Sequence, residues 1–86
     1  MTLRDILNRI IWNPKERASE YEVTFIHRGL PGDVKTIRAS DIKEVHGSWF
    51  LLKTLEQEPT VIPLHRVLEV RQTSSGICVW RRKLKG

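Results

Sequence analysis

Tyr21-Glu22-Val23-Thr24-Phe25-Ile26 alternates with a period of two, placing Tyr21, Val23 and Phe25 on one face and Glu22, Thr24 and Ile26 on the other. Such a segment is a half-buried strand, and the residues on either side are read from it. Upstream, Leu3, Ile6, Leu7, Ile10 and Ile11 recur at helical spacing behind Thr2 and Asp5, which have the spacing of a capping box. Pro14 disfavours helical dihedrals at Asn13, so the helix should stop near Trp12, with Asn13 capping a short turn over 14–18. Downstream, Gly29, Pro31 and Gly32 turn the chain back into a strand over 34–38.

Ser40 and Asp41 read as the cap of one helical turn through Val45, ended by Gly47, and Trp49 to Leu55 as an apolar strand. A polar turn over 56–59 leads to Val61 and Ile62. Pro63 cannot donate an amide, and Val67 beside Leu68 breaks strict alternation, so Pro63 to Arg66 reads as a bend before an extended piece over 68–71. A turn at 73–76 returns the chain through Ile77 to Arg82. In that last strand alternation puts Ile77, Val79 and Arg81 on one face and Cys78, Trp80 and Arg82 on the other. One helix and five or six short strands predict an α+β fold, the helix packed on a twisted antiparallel sheet for which a curled, barrel-like form is open.

Eighty-six residues with 40% hydrophobic content make one domain over 1–86 with little room for a deep catalytic cavity. No apolar run has the length of a membrane span and no secretory leader is evident, so a cytoplasmic protein without membrane contact is expected. Cys78 is the sole cysteine, which excludes an intrachain disulfide and a CxxC pair. Close-spaced ligands are absent, so neither a metal nor another cofactor is expected. The charge is +5. Residues 1–64 balance nine basic against nine acidic side chains, whereas 65–86 hold Arg66, Arg71, Arg81, Arg82, Lys83 and Lys85 against Glu69. A patch of that kind favours phosphate-bearing partners through counterion release, four of its six members having arginine's bidentate fork. The same composition also describes a solvated tail.

Acid and base chemistry would begin with His27, His46 and His65. His46-Gly47-Ser48 has the spacing of half a two-histidine phosphoesterase motif, but neither His27 nor His65 has a hydroxyl residue two positions on. His65 beside Arg66, presented by a bend stiffened by Pro63, makes a plausible anion pocket, since imidazole and guanidinium both donate to phosphate oxygens. The plainer reading has His65 capping a strand end and Arg66 facing water. Trp80 beside Arg81 and Arg82 could stack a nucleobase, or sit at the core rim as small domains usually place tryptophan.

Leu7-Asn8-Arg9-Ile10 with Trp12-Asn13-Pro14, then Tyr21-Glu22-Val23, Ile62-Pro63-Leu64-His65-Arg66-Val67 and Val79-Trp80-Arg81-Arg82, together resemble the RNA cyclic-group end recognition domain family of small archaeal proteins. The resemblance runs from about Leu3 to Arg82. It implies a non-catalytic module that binds single-stranded RNA 3′ ends bearing a 2′,3′-cyclic phosphate or a related processed terminus, in the company of RNA-processing proteins. The matching positions are His65, Arg66, Arg28, Trp80 and Arg81, with Arg82 adding a phosphate contact. His27 stands before Arg28 where relatives often have aspartate, and the 29–33 turn is longer than the family's hairpins. Two other readings stay open: a phosphodiesterase or ribonuclease pairing His65 with His27 or His46, and a basic adaptor subunit of an RNA–protein complex.

Overall fold

The computed structural model describes residues 2–27, 31–53 and 60–82. Helix α1 spans Leu3–Trp12 and is closed at its start by the expected capping box. The Thr2 hydroxyl accepts the Asp5 amide at 3.2 Å and the Asp5 carboxylate accepts the Thr2 amide at 3.1 Å. Its end at Trp12 is as read; Asn13 is its C-cap ahead of Pro14, and the Asn13 carboxamide accepts the Lys15 amide in the turn that follows. Leu3, Ile6, Leu7 and Ile10 are buried, each contributing at most about 1.5–3 kcal/mol of transfer free energy.

The amide of Thr2, bonded to its carboxylate, holds the Asp5 carboxyl below the usual aspartate range. A depressed folded-state value adds stability above the unfolded value, and that stability is lost as pH falls through the folded one. Helical circular dichroism is therefore expected to weaken below about pH 4. Thr2→Ala should cost about 1 kcal/mol at neutral pH, and Asp5→Asn, which removes the titrating carboxylate, should remove this acid dependence; an unchanged acid limb in Asp5→Asn would assign it to another carboxylate.

Seven strands occur among the described residues: β1 (Tyr21–Ile26), β2 (Val34–Arg38), β3 (Ile42–Val45), β4 (Trp49–Leu52), β5 (Thr60–Pro63), β6 (Val67–Gln72) and β7 (Cys78–Arg81). They form two antiparallel sheets, one in the order β2-β1-β6-β7 and one in the order β3-β4-β5. The strand count exceeds the predicted five or six. Among the described residues the sheets pack as two layers with α1 and do not close into a barrel. Phe25 of the first sheet meets Phe50 of the second edge-on, with ring centroids 6.3 Å apart, and both are buried in the single cluster that also takes the apolar face of α1. Tyr21 sits at the edge of this core. Its phenol donates to Glu16 at 2.7 Å, a bond that with burial raises its pKa.

The helical turn predicted from Ser40 to Val45 is instead a 3-10 turn at Ala39–Asp41 followed by β3. The pairings Ile42↔Leu52 and Glu44↔Leu51 leave Lys43 as a bulge. One extra residue brings Ile42 and Val45 to the core at a spacing of three, which imitates a helix. The alternation predicted for the last strand also fails. Val70 pairs with Trp80 and Arg71 with Cys78, so Val79 is bulged and both Val79 and Trp80 pack against the core. Conversely, the irregularity noticed at Val67 and Leu68 is real, because Leu68 is the bulge between the Thr24↔Glu69 and Phe25↔Val67 pairs. The predicted turn over 56–59 lies outside the described residues.

Candidate phosphate-binding cleft

The predicted bend is a 3-10 turn, Leu64–Arg66, set off by Pro63 as the last residue of β5. Two connections fix it. The Leu64 amide donates to the Ser48 carbonyl at 2.9 Å, which ties the bend to the β3–β4 turn. From the other side, Arg82 donates through Nε to the Val67 carbonyl at 2.9 Å and through Nη2 to the Leu64 carbonyl at 3.1 Å, while its own amide bonds the Leu68 carbonyl. Its guanidinium lies 5.3 Å from the Trp80 ring centroid. Trp80 thus supports Arg82 from the core rim.

His65 faces a cleft of about 400 Å³ whose walls include Arg4, Gly47, Ser48 and Arg82, together with Thr2 and Leu3 at the start of α1. Arg4 Nη1 lies over Gly47, 4.0 Å from where a Cβ would stand. The amides of the first helical turn have no intrahelical acceptors, and the helix dipole places partial positive charge at this end. The cleft therefore collects two guanidinium groups, an imidazole, a hydroxyl and a helix N-terminus. Carboxylate is represented nearby by Asp5, whose oxygen is engaged by the capping box. The chemistry of this set is that of an oxyanion receptor.

The predicted site residues divide. His65 and Arg82 share the cleft. Arg66 is exposed on the same turn without lining it, and has no hydrogen-bond or ion-pair partner among the described residues. Arg81 points to a neighbouring depression, where it meets Glu69 at 3.4 Å. Arg28, Lys83 and Lys85 lie outside the described residues. The other histidines are placed elsewhere: the His46 ring stacks on Trp49 at 4.0 Å and bonds Glu44 at 3.1 Å, and His27 stacks against Phe25. Of the His46-Gly47-Ser48 motif, the glycine and the serine reach the cleft.

Arg4 is the charged cleft residue that sequence reading missed, and the Gly47-Ser48 turn was read only for its spacing to His46. Arg4 carried a usable signal, because a cation in the first turn of a helix opposes the dipole and needs a reason outside the helix. That Gly47 and Ser48 face His65 was not legible, since only the tertiary fold brings them together.

Several known proteins are similar to this chain in sequence. A UPF0248 protein of Saccharolobus islandicus is 37% identical over 82 residues, covering 95% of this chain and 100% of the relative. The UPF0248 protein MJ1316 of Methanocaldococcus jannaschii is 35% identical over 81 residues, 94% of each chain. One from Saccharolobus solfataricus is 34% identical over 82 residues, 95% of this chain and 98% of the relative. No solved structure matches. A family model described as the MJ1316 RNA cyclic group end recognition domain matches residues 1–82, and the chain belongs to that family.

Proposed function

We propose that this protein binds processed RNA ends, with a terminal 2′,3′-cyclic phosphate or related phosphate seated in the His65 cleft, and that it does so without catalysis. The observation that carries this reading is the convergence of Arg4, His65, Arg82 and the start of α1 on one cleft, in a chain whose family is described by recognition of RNA cyclic ends. A cyclic phosphate bears one negative charge and two unshared oxygens. The guanidinium groups of Arg4 and Arg82, the latter through the N–H groups not bonded to carbonyls, and the start of α1 suit both. Arg66, exposed outside the cleft, is proposed to meet a preceding backbone phosphate, which adds affinity without end specificity. Arg28 is proposed in the same role from the family resemblance, as are a single-stranded substrate, RNA-processing partners and a cytoplasmic location.

Single substitutions separate these roles. His65→Ala and Arg4→Ala are each expected to weaken binding of a phosphate-ended RNA by about tenfold or more, while changing binding of the matched hydroxyl-ended RNA less than about threefold. Arg66→Ala should weaken both alike and reduce the salt dependence by about one phosphate contact. Equal losses on both RNAs for His65→Ala and Arg4→Ala would contradict an end-specific cleft.

A further inference from the structure

Arg82 is a wall of two depressions. The second, about 310 Å³, opens beside Leu68, Glu69 and Arg81, with Thr24 at its border. The row Thr24–Glu69–Arg81 runs across β1, β6 and β7 on the polar face of the four-stranded sheet, and the bulge at Leu68 brings an apolar side chain up beside it. Glu69 is fixed by a different arginine on each oxygen, Arg71 at 3.3 Å on Oε1 and Arg81 at 3.4 Å on Oε2. Each of these oxygens retains acceptor capacity, since an ionised carboxylate offers about four lone-pair sites.

We infer that this second depression is the subsite for the nucleobase of the RNA's terminal nucleotide, and that it selects guanine. The inference rests on the phosphate reading of the neighbouring cleft. Arg82 lines both depressions, so a nucleotide with its phosphate at Arg82 on the His65 side would set its base against Leu68 on the other. Leu68 supplies an apolar floor, and the exposed Arg81 guanidinium a plane on which a base stacks. The edge is read by Glu69. Guanine presents its N1–H and its 2-amino group side by side, matching two carboxylate oxygens. Adenine and cytosine present one amino group beside an acceptor nitrogen, and uracil a single N–H between two carbonyls. Only guanine satisfies both oxygens.

The test is a fluorescence titration of the full chain with short single-stranded RNAs that differ only in their last nucleotide, each prepared with a cyclic phosphate and with a hydroxyl end. The guanosine-ended cyclic RNA is expected to bind about tenfold tighter than the uridine-ended one. Glu69→Gln should flatten this preference to within about twofold while leaving the cyclic-over-hydroxyl preference in place, which also reports that the variant is folded. Should Glu69→Gln not fold, Glu69→Asp retains the carboxylate but withdraws it by one methylene, and should lower the preference to less than about threefold. Equal binding of all four bases with the end preference intact would overturn this inference and leave the phosphate reading standing. A base preference that survives Glu69→Gln or Glu69→Asp would overturn it too. A guanine preference without any end preference would overturn the phosphate reading, and with it the claim that one nucleotide spans both depressions.

Discussion

Phe50→Ala is expected to remove a large share of the domain's stability. Phe50 is fully buried on β4, the central strand of the three-stranded sheet, and its ring meets that of Phe25 from the other sheet. Removing it deletes the aromatic contact that joins the two layers and opens a cavity between three elements. Truncations of this kind cost about 3–5 kcal/mol. At roughly 0.05–0.15 kcal/mol per residue, the whole domain holds only about 4–13 kcal/mol. The urea midpoint should therefore fall by more than about 2 M, whereas Phe50→Leu, which fills most of the space, should cost about 1.5 kcal/mol or less. An alanine variant losing under about 1 kcal/mol would show that the sheets are not joined through this pair.

Arg82→Ala should damage stability and binding together. Its guanidinium satisfies the Leu64 and Val67 carbonyls at the two ends of the bend that presents His65, and its long side chain covers Trp80. Losing these contacts is expected to cost about 2 kcal/mol. Because the bend would no longer be held, affinity for a phosphate-ended RNA should fall by more than tenfold, including the loss of Arg82 as a direct donor. Arg82→Lys distinguishes charge from geometry. Lysine keeps the charge but has no planar fork to bridge two carbonyls, so it should recover less than about threefold of the lost affinity. Full recovery by lysine would mean that only positive charge is required at this position. Urea titration and RNA titration of the same three proteins give both readouts.

Much of the fold was legible because its signals are local. The capping box at Thr2 and Asp5, the stop at Pro14 and the alternation from Tyr21 to Phe25 each depend on residues within one turn or one strand. The errors share one physical cause. Bulges at Lys43 and Val79 insert a residue into a period of two, so Ile42 and Val45 look helical and the two faces of β7 are misassigned. The separation into two sheets was not readable either, since it depends on which strands pair across the chain. For the site, the basic final quarter pointed to His65, Arg81 and Arg82 but could not sort them. Arg82 turns inward to bind carbonyls, Arg81 turns to Glu69, and the missing walls come from residues 4, 47 and 48. His46, chosen for its spacing to Ser48, is occupied by Glu44 and Trp49.

One cleft is proposed to distinguish the chemistry of an RNA end. The most direct test is the affinity of the protein for one short single-stranded RNA prepared with a cyclic phosphate, an open phosphate or a hydroxyl at its 3′ end, at about 0.15 M salt. The cyclic end is expected to bind about tenfold or more tighter than the hydroxyl end, with the difference abolished by His65→Ala. Equal affinity for all three ends would contradict it and reduce the protein to a general basic surface for RNA.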